Sequence, residues 1–191
     1  GYYVIVYGDY AMNNEADSNN RIQYENVTIV NDAIVNTDES IVWYIAPNGN
    51  YWTIYNEDVQ KYAASTGAKN KAAVIADGTD AKAQWIIEKQ AATDTAPVTY
   101  EIENVSNKAA EVNYTLRNNG TYGFACYAKT TGGTLSLYKL VDGGEPVVAD
   151  PIYVTIDPAI VENETTIGGV WIVNGTDETE SEFEAGATVE S

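Results

Sequence analysis

Histidine is absent from the 191-residue sequence. With it go the commonest general base, the Ser–His and Cys–His nucleophile pairs, and His-ligated metal centres. The single cysteine, Cys126, leaves no partner for an internal disulfide and no Cys/His cluster with metal-ligand spacing. It sits in the apolar run Phe124-Ala125-Cys126-Tyr127, where a thiol is expected to be a buried, inert core group. Basic residues are few: ten Lys and Arg against 28 Asp and Glu give a formal charge of −18, so nucleic acid and anionic membranes are not expected as partners. The acidity reads as a solvating surface. No apolar run approaches the ~20 residues of a membrane helix, so membrane insertion is not expected. No basic, apolar leader is visible, which suits a cytosolic chain or a mature secreted segment. A composition rich in Asn, Thr, Tyr and Gly and poor in Lys favours the secreted or cell-surface setting. Gly67-Ala68-Lys69 lacks the remaining elements of a P-loop and there is no G-x-G-x-x-G, so no cofactor is expected.

What is present points to strands. Fifteen Tyr and four Trp against two Phe favour rings that are buried on one side and hydrogen-bonded on the other. Tyr2 to Tyr7 is a β-branched and aromatic run closed by Gly8-Asp9. Further strands are expected at 27–30, 33–35, 41–45, 51–55, 72–75, 85–87, 99–103, 111–116, 123–128 and 134–140. Turn signals separate them, among them Pro47-Asn48-Gly49-Asn50, Asp77-Gly78 and Asn118-Asn119-Gly120. Asp80 to Ala92 also reads as a capped helix, but the consecutive Trp85-Ile86-Ile87 gives no 3.6-residue stripe and favours a strand.

An internal repeat organises these strands. Tyr3-Val4-Ile5-Val6-Tyr7, Trp52-Thr53-Ile54-Tyr55-Asn56 and Tyr100-Glu101-Ile102-Glu103-Asn104 start just under fifty residues apart. Small-residue stretches follow at Tyr10-Ala11-Met12, Lys61-Tyr62-Ala63-Ala64 and Lys108-Ala109-Ala110. Each unit closes on a similar strand: Ile41-Val42-Trp43-Tyr44-Ile45, Ala83-Gln84-Trp85-Ile86-Ile87 and Leu135-Ser136-Leu137-Tyr138-Lys139-Leu140. Trp43, Trp85 and Leu137 are expected to be equivalent in the core. On these residues the chain resembles the β-trefoil family, loosely its ricin-B-like lectin branch, over residues 1–140. Gln84-Trp85 falls where that branch has Gln-x-Trp, here with nothing between the two. The closing strand is also similar to those of trefoil-like modules in secreted proteins of gut bacteria. The resemblance implies an all-β three-fold barrel and a non-catalytic, carbohydrate-binding role with glycans as partners.

Residues 141–150, with Asp142-Gly143-Gly144-Glu145-Pro146, read as a linker. Residues 151–191 read as a partial β-rich, Ig-like segment, with strands at 152–156 and 170–173, a hairpin signal at Asn174-Gly175 and a third strand opening at Phe183. A monomer is expected, with self-assembly by strand pairing through this segment as the alternative function, that of an adhesive or structural subunit. An enzyme is not expected: two carboxylates suffice for a glycosidase, but among 28 acids some pair always qualifies. Asp77-Gly78-Thr79-Asp80 reads as a turn rather than a calcium loop. N-x-[ST] sequons start at Asn26, Asn104, Asn113, Asn119, Asn163 and Asn174 and carry meaning only in a eukaryotic secretory pathway. For sugar binding, which needs aromatic faces beside amide groups, two clusters qualify. They are Asn48, Asn50, Tyr51 and Trp52, and Asn118, Asn119 and Tyr122. The competing reading makes Trp52 and Tyr122 core rings and the asparagines turn formers.

Overall fold

Alternation inside each repeat-opening strand sends one side chain in two toward a shared interior, and the middle isoleucines Ile5, Ile54 and Ile102 are all fully buried there. The computed structural model describes residues 1–140 apart from 32, 36 and 93–97, together with four short strands farther on. The first repeat comprises β1 (Tyr2–Tyr7), β2 (Tyr10–Ala16), β3 (Ile22–Asn26), the small hairpin β4 (Ile29–Val30) and β5 (Ala33–Ile34), and β6 (Val42–Asn48). The second has β7 (Tyr51–Asn56), β8 (Lys61–Ala64), β9 (Ala73–Ile75) and β10 (Trp85–Gln90). The third has β11 (Thr99–Asn104), helix α1 (Val105–Ala109), β12 (Thr115–Asn118), β13 (Phe124–Tyr127) and β14 (Ser136–Lys139).

The first and last strands of the three repeats close a ring. β1 pairs with β6, β6 with β7, β7 with β10, β10 with β11, β11 with the residue before β14 through Tyr100 and Leu135, and β14 with β1, all antiparallel. The middle strands form three hairpins, β2–β3, β8–β9 and β12–β13. A barrel of six strands carrying three hairpins is a β-trefoil, as the repeat predicts.

Register fixes which residues are equivalent. Trp43 lies opposite Tyr3, Trp85 opposite Trp52, and Leu135 opposite Tyr100. The next residues agree: Tyr44 faces Tyr55, Ile86 faces Glu103, and Ser136 faces Val6. The third partner of the two tryptophans is therefore Leu135, fully buried, and not the half-buried Leu137. Both indoles donate inward, Trp43 Nε1 to the Met12 carbonyl (2.9 Å) and Trp85 Nε1 to that of Ala63 (3.0 Å).

Other expectations shift for local reasons. Asn104 caps α1, its Oδ1 accepting from the Asn107 N–H at 3.1 Å, so Lys108 and Ala109 are helical and the strand expected from Glu111 begins at Thr115. Between Asp80 and Ala92 only Ala81–Ala83 coil, in one 3₁₀ turn capped by Asp80, before β10 begins at Trp85. The hairpin β4–β5 covers the outer face of β1, where Val4, Val6, Ala11, Val27, Ile34, Ile41 and Leu140 form a second core.

By its internal contacts the chain divides into two units, Gly1–Val147 and Val148–Ser191. In the second, Thr166–Ile167 pairs with Phe183–Glu184, and Ile172–Val173 pairs with Thr176–Asp177, while the hairpin signal at 174–175 lies outside the described residues. The linker at 141–150 and the strand expected at 152–156 lie outside the described residues.

Candidate functional site

A two-residue turn, Gly49-Asn50 with Gly49 at φ +62, joins β6 to β7 and sets the register Asn48 to Tyr51, Ala46 to Thr53 and Tyr44 to Tyr55. Because side chains alternate, these six residues share the outer face of the barrel. Tyr44 is also opposite Tyr2 of β1, and Tyr55 is opposite Tyr62 of β8. Four tyrosines from four adjacent strands thus form one row: Tyr2, Tyr44, Tyr55, Tyr62. The Tyr2 and Tyr44 rings lie 5.0 Å apart at 50°, and those of Tyr55 and Tyr62 4.7 Å apart at 48°. Tyr44 is 38% exposed and the other three are partly so.

Both ends of the row are fixed. At one, the Tyr2 hydroxyl donates to Glu57 Oε1 at 2.7 Å, and this bond to a carboxylate is the main cause that raises the phenol's pKa. At the other, the Tyr62 ring lies under Gly78, where a Cβ would come within 2.6 Å of Tyr62 Cζ. Asn48 Nδ2 holds that loop by donating to the Gly78 carbonyl at 3.1 Å. Next to it, Asp77 accepts from the Thr79 hydroxyl and N–H (2.7 and 2.8 Å), and these bonds keep its carboxyl below the ordinary range.

The three-fold barrel supplies its own controls. The position of Tyr55 is taken by Val6 in the first repeat and Glu103 in the third. Val6 is buried in the second core beneath β4–β5. Glu103 is closed off by charge: Lys108 bonds it, Lys129 lies 3.5 Å from it and 3.4 Å from Glu101, and Arg117 Nη2 donates to both oxygens of Glu101 at 2.7 and 2.8 Å. These carboxylates raise the pKa of both lysines, Lys108 chiefly through its bond to Glu103 and Lys129 chiefly through the charge of Glu101. Among the described residues, one of three equivalent faces presents open aromatic rings.

Of the residues that the sequence singles out, Asn48 and Tyr51 stand on this face. Trp52 belongs to the inner face, opposite Trp85, yet is 39% exposed, and Asn50 lies in the exposed turn. The second cluster is elsewhere, on the β12–β13 hairpin. Asn118 ends β12 and is 1% exposed, with no hydrogen-bond partner for its amide among the described residues. Asn119 opens a 3₁₀ turn over Gly120–Tyr122, and Tyr122 is 60% exposed with the Arg21 guanidinium 5.2 Å from its ring centre. The structure does not bring the two clusters together. Tyr2, Tyr44, Tyr55 and Tyr62 are not singled out as a site by sequence reasoning, because only strand register aligns them. Asn104, the start of one sequon, is fully buried and donates to the Lys82 and Gln84 carbonyls, which removes it as an attachment site.

No family model and no curated protein matches the sequence. Among solved structures, one similar chain is the GlcNAcα1-4Gal-releasing endo-β-galactosidase from Clostridium perfringens, at TM-score 0.50 and 14% identity over 76% of this chain and 32% of that one. Another is the Polyporus squamosus lectin bound to the human-type influenza-binding epitope Neu5Acα2-6Galβ1-4GlcNAc, at TM-score 0.50 and 17% identity over 73% of this chain and 49% of that one. The chain spans about a third of the first and about half of the second. At such identities the likeness is one of fold.

Proposed function

We propose that this chain is a non-catalytic carbohydrate-binding module of a secreted or cell-surface protein, and that sugar is held on the face bearing Tyr2, Tyr44, Tyr55 and Tyr62. The carrying observation is the tyrosine row, left open on one of three otherwise equivalent faces. A phenol ring offers an apolar face to the C–H surface of a sugar and a hydroxyl to its polar rim, at little entropic cost on a strand. Two fold neighbours with glycan-handling names, a lectin and an endo-β-galactosidase, are in keeping with this reading. The acids Glu101 and Glu103 are tied to Arg117, Lys108 and Lys129, which suits a structural pair better than a general acid and base.

A glycan array probed with the native protein and with Tyr44→Ala tests it. Retention of a definable set of glycans is expected, with about a tenfold or greater loss in the variant, the scale of a buried aromatic anchor. Absence of any retained glycan, or equal retention by both proteins, would sink the proposal.

A further inference from the structure

We infer that the tyrosine face takes a linear, uncharged glycan chain laid across the strands, and that it rejects acidic sugars; this rests on the carbohydrate reading above. The first ground is extent. Four rings on four adjacent strands cross three inter-strand gaps, about 14 Å at the usual spacing. One terminal sugar covers one ring or one ring pair, and leaves the rest of the row in water. The second ground is periodicity: Tyr2–Tyr44 and Tyr55–Tyr62 are two ring pairs of nearly the same separation and tilt. A repeated platform suits a repeated unit.

The third ground is charge. Glu57 bonds the hydroxyl at one end of the row, and Asp77 adjoins the glycine that covers the ring at the other. A carboxylate only accepts hydrogen bonds, so the ligand groups that meet it must donate, as sugar hydroxyls do. Lys61, next in sequence to Tyr62, falls on the opposite face of its strand by alternation. The whole chain carries a formal charge of −18, which adds long-range repulsion of anionic ligands. A sialylated epitope such as the one bound by the Polyporus lectin is thus disfavoured on this face.

The test titrates the full chain with neutral linear oligosaccharides of glucose, N-acetylglucosamine, mannose, galactose and xylose, each from disaccharide to hexasaccharide, and with oligogalacturonides of matched length. For at least one neutral series, affinity is expected to climb about tenfold or more between disaccharide and tetrasaccharide and then level off. Tyr44→Ala and Tyr55→Ala should each flatten that climb, with folding verified by circular dichroism. Tyr2→Phe keeps the ring and loses the hydroxyl with its bond to Glu57, so it should lose less affinity than Tyr44→Ala or Tyr55→Ala. The uronates should bind more weakly than neutral oligomers, and Glu57→Gln should narrow the gap. If sugars bind but affinity is independent of length, or the acidic series binds best, or the tyrosine variants match the native protein, the inference falls while carbohydrate binding at another face survives. If no sugar binds, on the array or in solution, the functional reading falls with it.

Discussion

At Leu135 the three-fold core is completed by a smaller side chain than the indoles of Trp43 and Trp85, and the position makes no hydrogen bond of the kind those indoles give. It is fully buried, whereas Leu137 is half-exposed two residues on. Leu135→Ala should therefore cost about 2–5 kcal/mol through lost burial and a residual cavity, and Leu137→Ala clearly less. Urea unfolding of the two variants ranks them, and the reverse order would refute the register. Cys126 offers a second residue-level expectation. It is fully buried, and desolvation pushes its thiol up to about 12 from an ordinary 9.0. Native protein at pH 8 should react with a thiol reagent far more slowly than unfolded chain. The folded thiol holds its proton more tightly than the unfolded one, so this group's contribution to stability is intact below pH 9 and drains away as the pH climbs toward 12. Melting curves of native protein and Cys126→Ala should accordingly converge between pH 8 and 11. A constant gap would show that the thiol does not couple to folding.

Between strands, two asparagines at matched positions lock the turns that lead into the closing strands. Asn56 Nδ2 donates to the carbonyls of Glu39 and Val42, both at 2.9 Å, and Asn104 Nδ2 to those of Lys82 and Gln84 at 2.8 and 3.3 Å. In the first repeat Tyr7 takes this place, and its ring lies against Gly133, where a Cβ would stand 3.1 Å from Tyr7 Cε2. Asn56→Ala and Asn104→Ala each strand carbonyls in a buried setting, for about 1–3 kcal/mol. Guanidinium unfolding measures this, and a loss below about 0.5 kcal/mol would mean that water substitutes for the amide. The same elements show what is legible in a sequence. Ile5, Ile54 and Ile102 each follow an aromatic residue two positions earlier, Tyr3, Trp52 and Tyr100, so the repeat and the trefoil can be read directly. Leu135 and Leu137 cannot be told apart that way, since residues two apart share a strand face and only the pairing with Tyr100 selects one. Lys108-Ala109-Ala110 mimics Lys61-Tyr62-Ala63-Ala64 in composition, yet a capping asparagine turns it into a helix. β3 escapes notice because Gln23 and Glu25 break its apolar pattern. The tyrosine row depends on pairing between Tyr2 and Tyr44, far apart in sequence, and periodicity within a strand carries no trace of that.

For the molecule as a whole, ring closure decides which residues fold together. Tyr3 to Val6 of β1 pair with Lys139 to Ser136, and the Leu140 N–H donates to the Tyr2 carbonyl at 2.9 Å, so residues at either end of the barrel sequence are stitched side by side. Leu140 also belongs to the second core, with Val4 and Val6. Among the described residues, every strand of the ring and every member of both cores thus lies within residues 1–140, and β1 and β14 cover each other's edges. A chain ended after Val147 keeps all of these contacts and should melt within a few degrees of the full protein, since ~1 kcal/mol moves a domain of this size by about 2–8 °C. A chain ended after Gly133 loses Leu135, β14 and Leu140 together. It should fail to show a cooperative transition, because β1 and β11 are left as open edges and the buried face of Ile5 meets water. Calorimetry on the three lengths separates the outcomes. A drop of more than about 10 °C for the Val147 chain would mean that residues beyond it complete the barrel's stability, and the first unit would then have to be redrawn to include them.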